Sequence, residues 1–340
     1  MDDSIGKKLD EYLTSITLIG FSGVIFVAKD KQILLSKGYG AANKKKAIPF
    51  SNKTVFDIGS ITKQFTAAAI LKLEMQDRLS VNDPISKYFA DVPLDKSKIT
   101  IHHLLTHSAG FIPILGEDYY PITRDEYIKL ALNSLLINPA GDIFLYSNVG
   151  YSLLGAIIEI VTKQSYEQYL NENIFKPAGM TKTGYKIPEW KQEELAMGYT
   201  LNDEEWGTPL DKAWAQDGPY WNLCANGGIL STTEDLYRWH LALEGEEVLS
   251  KRAKEKLFKP QISRQAKPAL LYGYGWFLNK TKRGTKLIWH SGGNNIFYAE
   301  FRRYIDEGIV VIVATNTAMY QASKEIEKLI ELIFASVPNN

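Results

Sequence analysis

The chain has 340 residues, 45% of them apolar and 23% charged, the proportions of an ordinary globular protein with an ample core. Its 39 basic side chains are balanced by 39 acidic ones, so nothing favours nucleic acid as a partner, and Lys44-Lys45-Lys46 reads as a solvated loop. A single cysteine, Cys224, excludes an intrachain disulfide.

The chain opens Met1-Asp2-Asp3 without a basic n-region. Its first apolar stretch, Ile16 to Ala28, is interrupted by Gly20, Ser22 and Gly23, so neither a signal peptide nor a transmembrane segment is expected. As written it reads as cytoplasmic, with a periplasmic or cell-surface location open if a signal was removed.

Gly23 to Ala28 and Gln32 to Tyr39 are rich in β-branched residues and flank a polar turn, the pattern of an antiparallel hairpin. Ile61 to Leu79 reads as a helix whose middle is apolar nearly all round, and is therefore expected to be buried. Val149 to Val161, Tyr166 to Ile174 and Glu234 to Leu243 read as further helices. Lys286 to Trp289, Tyr298 to Arg303 and Ile309 to Ala314 read as strands, and Lys324 to Phe334 has helical spacing.

Strands at both ends with helices between them predict an α+β fold. The expected body spans 1–95 and 270–340 and holds an antiparallel sheet built from both chain ends. A mostly helical domain spans 96–269, and the active site lies in the cleft between the two.

Three groups of residues carry chemistry. A serine hydroxyl is a weak nucleophile at neutral pH and needs a nearby base. In Ser60-Ile61-Thr62-Lys63 the serine and lysine are spaced to share a helix face. Burial beside apolar neighbours lowers a lysine's pKa, which suits Lys63 to take the proton or to tune a group that does. The spacing alone is common, since Ser4-Ile5-Gly6-Lys7 also has it and reads as a solvated N-terminal helix.

In Tyr146-Ser147-Asn148, a phenol near two cations is expected to have a depressed pKa and to serve as general base. Asn148 offers a donor and an acceptor to a substrate amide or to the lysine, the bland alternative being a helix cap. His290-Ser291-Gly292-Gly293 ends a strand, where glycines admit a substrate backbone. The N–H groups of Gly293 and Ser60 can form a two-donor oxyanion hole.

Phe56 to Thr66, with Tyr146-Ser147-Asn148, His290-Ser291-Gly292 and the segment Ile101 to Gly110, resembles the serine β-lactamase and penicillin-binding-protein superfamily, in its class C-like branch. Pro177 to Met180, Gly227 to Thr232 and Tyr272 to Trp276 match lesser landmarks, and the likeness runs from about Gly23 to Asn316. The resemblance implies a β-lactamase/DD-peptidase-like fold. It makes Ser60 the acylated nucleophile, Lys63 its proton partner and Tyr146 the general base. Asn148 would touch the substrate, Ser291 and Gly292 would line the acyl group, and Gly293 would complete the oxyanion hole.

The third motif departs from the lysine-led form of β-lactamases. A lysine offers a permanent cation to a substrate carboxylate, whereas His290 is mostly neutral at pH 7. The expectation is therefore a metal-free, cofactor-free serine hydrolase of carboxylesterase type. The alternatives are a DD-carboxypeptidase or D-amino-acid peptidase with weak β-lactamase activity, and a penicillin-binding sensor that scarcely turns over. The substrate would be a small ester, a β-lactam or a short D-amino-acid peptide.

Other signals weigh less. His103 and His107 have zinc-ligand spacing but lack the accompanying glutamate, and read as structural. No Gly-x-Ser-x-Gly elbow occurs, against an α/β-hydrolase. Cys224 reads as a small packed residue. Trp206, Trp214, Tyr220 and Trp221 form an aromatic-rich region expected to wall a pocket.

Overall fold

The two chain ends meet in one sheet. The computed structural model describes residues 3–215, 218–316 and 319–335, so the extreme termini of the expected body lie outside the described residues. Strands β1 (Gly23–Lys29) and β2 (Gln32–Tyr39) form the expected hairpin. Its turn residues Asp30 and Lys31 both adopt positive φ, the backbone twist that tight hairpins require.

The remaining strands come from the last third of the chain: β3 (Ile262–Arg264), β4 (Lys267–Tyr272), β5 (Phe277–Lys280), β6 (Lys286–Gly293), β7 (Tyr298–Tyr304) and β8 (Ile309–Thr315). All pair antiparallel in the order β2-β1-β8-β7-β6-β5-β4-β3. The first three of these six were not expected from the sequence, and β3 with the first part of β4 extends the sheet ahead of residue 270. β6 also runs past Trp289 to Gly293, because its last residues pair with β7 as far as Tyr298.

Strand alternation sends side chains to two cores. Val24, Phe26 and Ala28 of β1 and Val310, Ile312 and Ala314 of β8 face the main helical layer. Ile25, Val27, Ile309, Val311 and Val313 face the opposite way, under helices α1 (Asp3–Thr17) and α9 (Met319–Ala335). The N-terminal helix is thus solvated on one side only: Lys7 is exposed, while Ile5, Leu9, Leu13 and Ile16 are buried against the sheet. In α9 the helically spaced Ile326, Leu329, Ile330 and Ile333 are likewise buried.

The helical layer comprises α2 (Thr62–Met75), α3 (Ile101–Leu105), α4 (Arg124–Asn133), α5 (Asn148–Thr162), α6 (Tyr166–Leu170), α7 (Thr233–Glu244) and α8 (Lys251–Leu257). Helix α2 is buried from Thr62 to Leu71, as its all-round apolar middle requires. It stops at Met75 rather than Leu79, because Asp77 takes a left-handed conformation that no helix continues. Among the described residues no helix is long and apolar enough to cross a membrane.

Candidate active site

Ser60 stands on a turn, one step before a helix. Gly59–Ile61 form a short 3-10 turn leading into α2, and Gly59 has φ +49, which suits a residue without a side chain. A Cβ built on Gly59 would lie 2.4 Å from the Gly293 nitrogen, and one on Gly292 would lie 2.0 Å from the Ile58 oxygen and 2.4 Å from the Ser60 nitrogen. The end of β6 therefore lies directly against the nucleophile turn, backbone on backbone. Two glycines make that approach possible.

From the other side the turn is held by the segment after Asn226. Phe56–Asp57 pairs with Leu230–Ser231, and the Ile58 N–H donates to the Ile229 carbonyl at 3.0 Å. The buried Asp57 carboxylate accepts from the Gly59 N–H at 2.7 Å and from Asn294 Nδ2 at 3.0 Å. Burial raises its pKa to about 7, against the pull of the Gly59 hydrogen bond.

Lys63 is fully buried one helical turn beyond Ser60. Its Nζ donates to Ser60 Oγ at 3.0 Å, to Asn148 Oδ1 at 2.8 Å and to the Asn226 carbonyl at 2.8 Å. Desolvation depresses its pKa well below the ordinary lysine range, and the charge of Asp118 opposes that shift. The Tyr146 ring centroid lies 4.8 Å from Nζ, and its phenol is near enough to Ser60 for that hydroxyl to pull the phenol's pKa down. Ser60 Oγ therefore sits between an amine and a phenol, either of which can exchange its proton.

The phenol is not depressed as expected. Burial holds the Tyr146 pKa above its ordinary value, and only the Ser60 hydroxyl pulls it down. The two neighbouring cations assumed from the sequence are an amine whose charge burial disfavours and a neutral imidazole. Asn148 opens α5, but the cap is Ser147, whose Oγ accepts the Gly150 N–H and donates to the Ile112 carbonyl at 2.7 Å. That leaves the Asn148 side chain for Lys63.

His290 is 2% exposed, and both ring nitrogens are engaged within the protein. Nδ1 lies 2.6 Å from the Ser291 carbonyl, which can only accept, so Nδ1 carries the proton. Nε2 lies 3.2 Å from the Tyr272 hydroxyl, and the same hydroxyl lies 3.3 Å from His107 Nε2. His107 Nδ1 accepts the Ser147 N–H at 3.1 Å, which places the His107 proton on Nε2. The ordered chain is then Ser147 N–H to His107, His107 N–H to Tyr272, and Tyr272 O–H to His290. Burial and the nearby Lys63 lower the His290 pKa to about 3, so its ring is neutral. The His107 ring lies against that of Tyr146, with centroids 4.2 Å apart, so this chain also supports the phenol.

The structure thus brings Ser60, Lys63, Tyr146, Asn148, His290, Ser291, Gly292 and Gly293 to one place. Sequence reasoning gave no chemical role to four residues of this region: Asp57, His107, Asn226 and Tyr272. His107, Tyr272 and Asp57 lie inside segments singled out on other grounds. Asn226 only precedes such a segment, and it meets Lys63 through a backbone carbonyl, which leaves no side-chain signature. His103 caps α3, its Nδ1 accepting the Thr100 N–H at 3.2 Å, while His107 faces Tyr272, so the two do not converge. Cys224 is buried, its carbonyl accepting from Ser152. The aromatic region divides: Trp206 stands beside Tyr119 and Phe297 near the end of β6, whereas Trp214 packs edge-on against buried Tyr185.

A family model described as Beta-lactamase matches residues 18–333, nearly the whole chain. The chain belongs to the beta-lactamase family. Within the serine beta-lactamase and penicillin-binding-protein superfamily it is 33% identical over 273 residues to a putative penicillin-binding protein, PbpX, of Bacillus subtilis, covering 80% of this chain and 65% of that one. It is 31% identical over 330 residues to protein flp of Staphylococcus aureus, covering 93% of this chain and 63% of that one. The chain thus spans under two thirds of the length of either relative. The octameric penicillin-binding protein homologue from Pyrococcus abyssi superposes with a TM-score of 0.80 at 30% identity, covering 94% of this chain and 77% of that one. This beta-lactamase-family chain therefore has the expected antiparallel-sheet fold.

Proposed function

We propose that the protein is a carboxylesterase-type hydrolase that works through an acyl-enzyme on Ser60. Ser60 Oγ attacks the ester carbonyl while its proton passes to the Tyr146–Lys63 pair. With Lys63 neutral, its lone pair faces the serine hydroxyl, and Tyr146 returns the proton to the departing alcohol. Water then attacks the acyl-enzyme by the reverse path, releasing the acid and restoring Ser60. The N–H groups of Ser60 and Gly293 hold the developing oxyanion. Asn148 orients Lys63 and the substrate, Ser291 and Gly292 line the acyl group, and His290 fixes the strand that carries them.

The observation that carries this reading is the state of His290. It is neutral, buried and saturated by Ser291 and Tyr272, so the third motif presents no cation to a substrate carboxylate. β-Lactams and D-Ala-D-Ala peptides carry such a carboxylate, and simple esters do not. The names of the relatives favour a second reading, a D-amino-acid peptidase or penicillin-binding protein. A variant of it acylates without appreciable turnover.

The deciding experiment compares hydrolysis of a short-chain chromogenic ester by wild type and by Ser60→Ala. Rapid turnover lost in the variant supports the esterase reading. A slow wild type that forms a long-lived penicillin adduct on Ser60 transfers support to the second.

A further inference from the structure

Arg303 shares a face of β7 with Phe301, a residue of the main core, and is itself only 4% exposed. Its guanidinium carbon lies 5.2 Å from the Phe258 ring centroid and 5.9 Å from that of Trp276. Those two rings pack edge-on at 5.5 Å, and Phe301 packs edge-on against Trp276 at 5.6 Å. Burial lowers the arginine's pKa to about 10, which leaves it charged at neutral pH. A cation therefore stands among three aromatic side chains.

No contact matches that charge. Arg303 Nε donates to His240 Nδ1 at 3.1 Å, which places the His240 proton on Nε2, 3.2 Å from Glu244 Oε1. Burial and the Arg303 charge lower the His240 pKa to about 3, so the ring between the cation and the carboxylate is neutral. Glu244 also faces Lys31 at 3.6 Å. Among the described residues, Arg303 Nη1 and Trp276 Nε1 are buried donors without an acceptor. Gln64 Nε2 is another, its Oε1 being taken by Trp239 Nε1 at 3.2 Å. A Cβ built on Gly275, the residue before Trp276, would lie 3.1 Å from Gln64 Cα. This part of the core is rich in donors and short of acceptors.

The kind of group that satisfies such donors follows from their chemistry. A buried water must place two protons of its own as well as accept, and it makes about three bonds to polar partners. Guanidinium and indole N–H groups have no acceptor capacity, and both His240 nitrogens are already used. An acceptor without protons meets these donors, and a negative charge on it offsets the cost of a buried cation that lacks a counter-charge. The seclusion of both donors selects a small monoanion.

We infer that Arg303 and Trp276 form a buried halide site that takes chloride from solution and ties β7 to the turn ahead of β5. That turn backs Lys63, since a Cβ on Gly275 would lie 2.7 Å from the Lys63 carbonyl oxygen. The site is independent of the reaction at Ser60.

The test begins with wild-type crystals in bromide, which are expected to show an anomalous-scattering peak in contact with Arg303 Nη1 and Trp276 Nε1. In solution, the thermal midpoint at constant ionic strength is expected to rise and saturate as chloride or bromide replaces gluconate. Arg303→Met keeps the length of the side chain without its charge, and should abolish the saturable rise. Trp276→Phe removes the indole N–H, and should weaken apparent halide affinity about tenfold. Absence of the peak, or a saturable rise that Arg303→Met leaves unchanged, overturns the inference. A wild-type midpoint indifferent to halide also overturns it, marking any peak as binding at crystal concentration only. Should either variant fail to fold, the wild-type crystal and titration decide.

Discussion

The Tyr272 hydroxyl stands 3.2 Å from His290 Nε2, behind the strand that lines the proposed acyl site. It bridges His290 to His107, and His107 underlies Tyr146. Tyr272→Phe removes one hydroxyl and leaves two buried imidazoles short of a partner. The expected cost is about 1–3 kcal/mol of stability, read from denaturant midpoints. The Ser291 carbonyl still holds the His290 proton on Nδ1, so the change should appear at the unprotonated Nε2, whose nitrogen resonance moves as its hydrogen bond is lost. A variant with wild-type stability and an unmoved Nε2 resonance contradicts the relay.

Gly292→Ala tests the contact between β6 and the nucleophile turn. The new methyl meets the Ile58 carbonyl and the Ser60 nitrogen, both backbone groups with no side chain to swing away. Relief requires the strand to move off the turn and to carry Gly293 from its place beside Ser60. Acylation is expected to slow about 100-fold or more, as when an oxyanion donor is lost. Single-turnover labelling checks this, and labelling at the wild-type rate counts against the two-donor arrangement.

The pH profile should report Lys63. Burial depresses its pKa, so the amine loses its proton at a lower pH than an exposed lysine, and kcat/KM rises with pH through that loss. Asp118 favours the ammonium and so holds this limb up. Asp118→Asn is therefore expected to move the ascending limb to lower pH, measured with a neutral ester that does not itself titrate. A limb that stays put or moves up breaks the link between Asp118 and Lys63.

Asp57 links stability to pH in a direction unusual for a carboxylate. Its folded pKa of about 7 stands above its ordinary 3.8, so the folded protein binds more protons across that interval. Its contribution favours the fold at acid pH and is lost as pH rises towards about 7. Asp57→Asn carries no charge at any pH. The wild type should therefore lose roughly 1–3 kcal/mol relative to this variant between pH 5 and pH 8, by chemical denaturation. A constant gap between the two proteins removes the assignment.

Most of the proposed site was legible because its residues come as side-chain motifs. Ser60, Lys63, Tyr146, Asn148 and His290 each need a particular functional group, and a functional group is written in the sequence. The contribution of Asn226 was not legible, since a carbonyl oxygen belongs to every residue. The depressed phenol expected at Tyr146 failed because the sequence does not reveal burial: one assumed cation is disfavoured and the other is neutral. In the fold, β1 and β8 are runs rich in Val and Ile, β2 and β7 carry aliphatic and aromatic residues between turn signals, and all four were read within a residue or two. β3 to β5 are short, polar or punctuated by proline and glycine, and they are strands only because the sheet continues to their position. Asp118 lies in a loop whose course depends on Asn222, a residue more than a hundred positions away.

Gly23 faces Thr315 across the β1–β8 ladder, so the centre of the sheet joins residues from opposite ends of the chain. On a ribosome the first hairpin emerges well before the strand that completes it, which follows only after β3 to β7. Until then one edge of β1, with its apolar residues on both faces, has no neighbour, and such an edge invites association with other chains. High contact order of this kind slows folding. The site beside it cannot assemble before β6 has been made, because Gly292 and Gly293 lie at its end. Nascent chains that still lack β6 are therefore expected to be inert towards substrates, and their yield in a cell depends on protection during that interval.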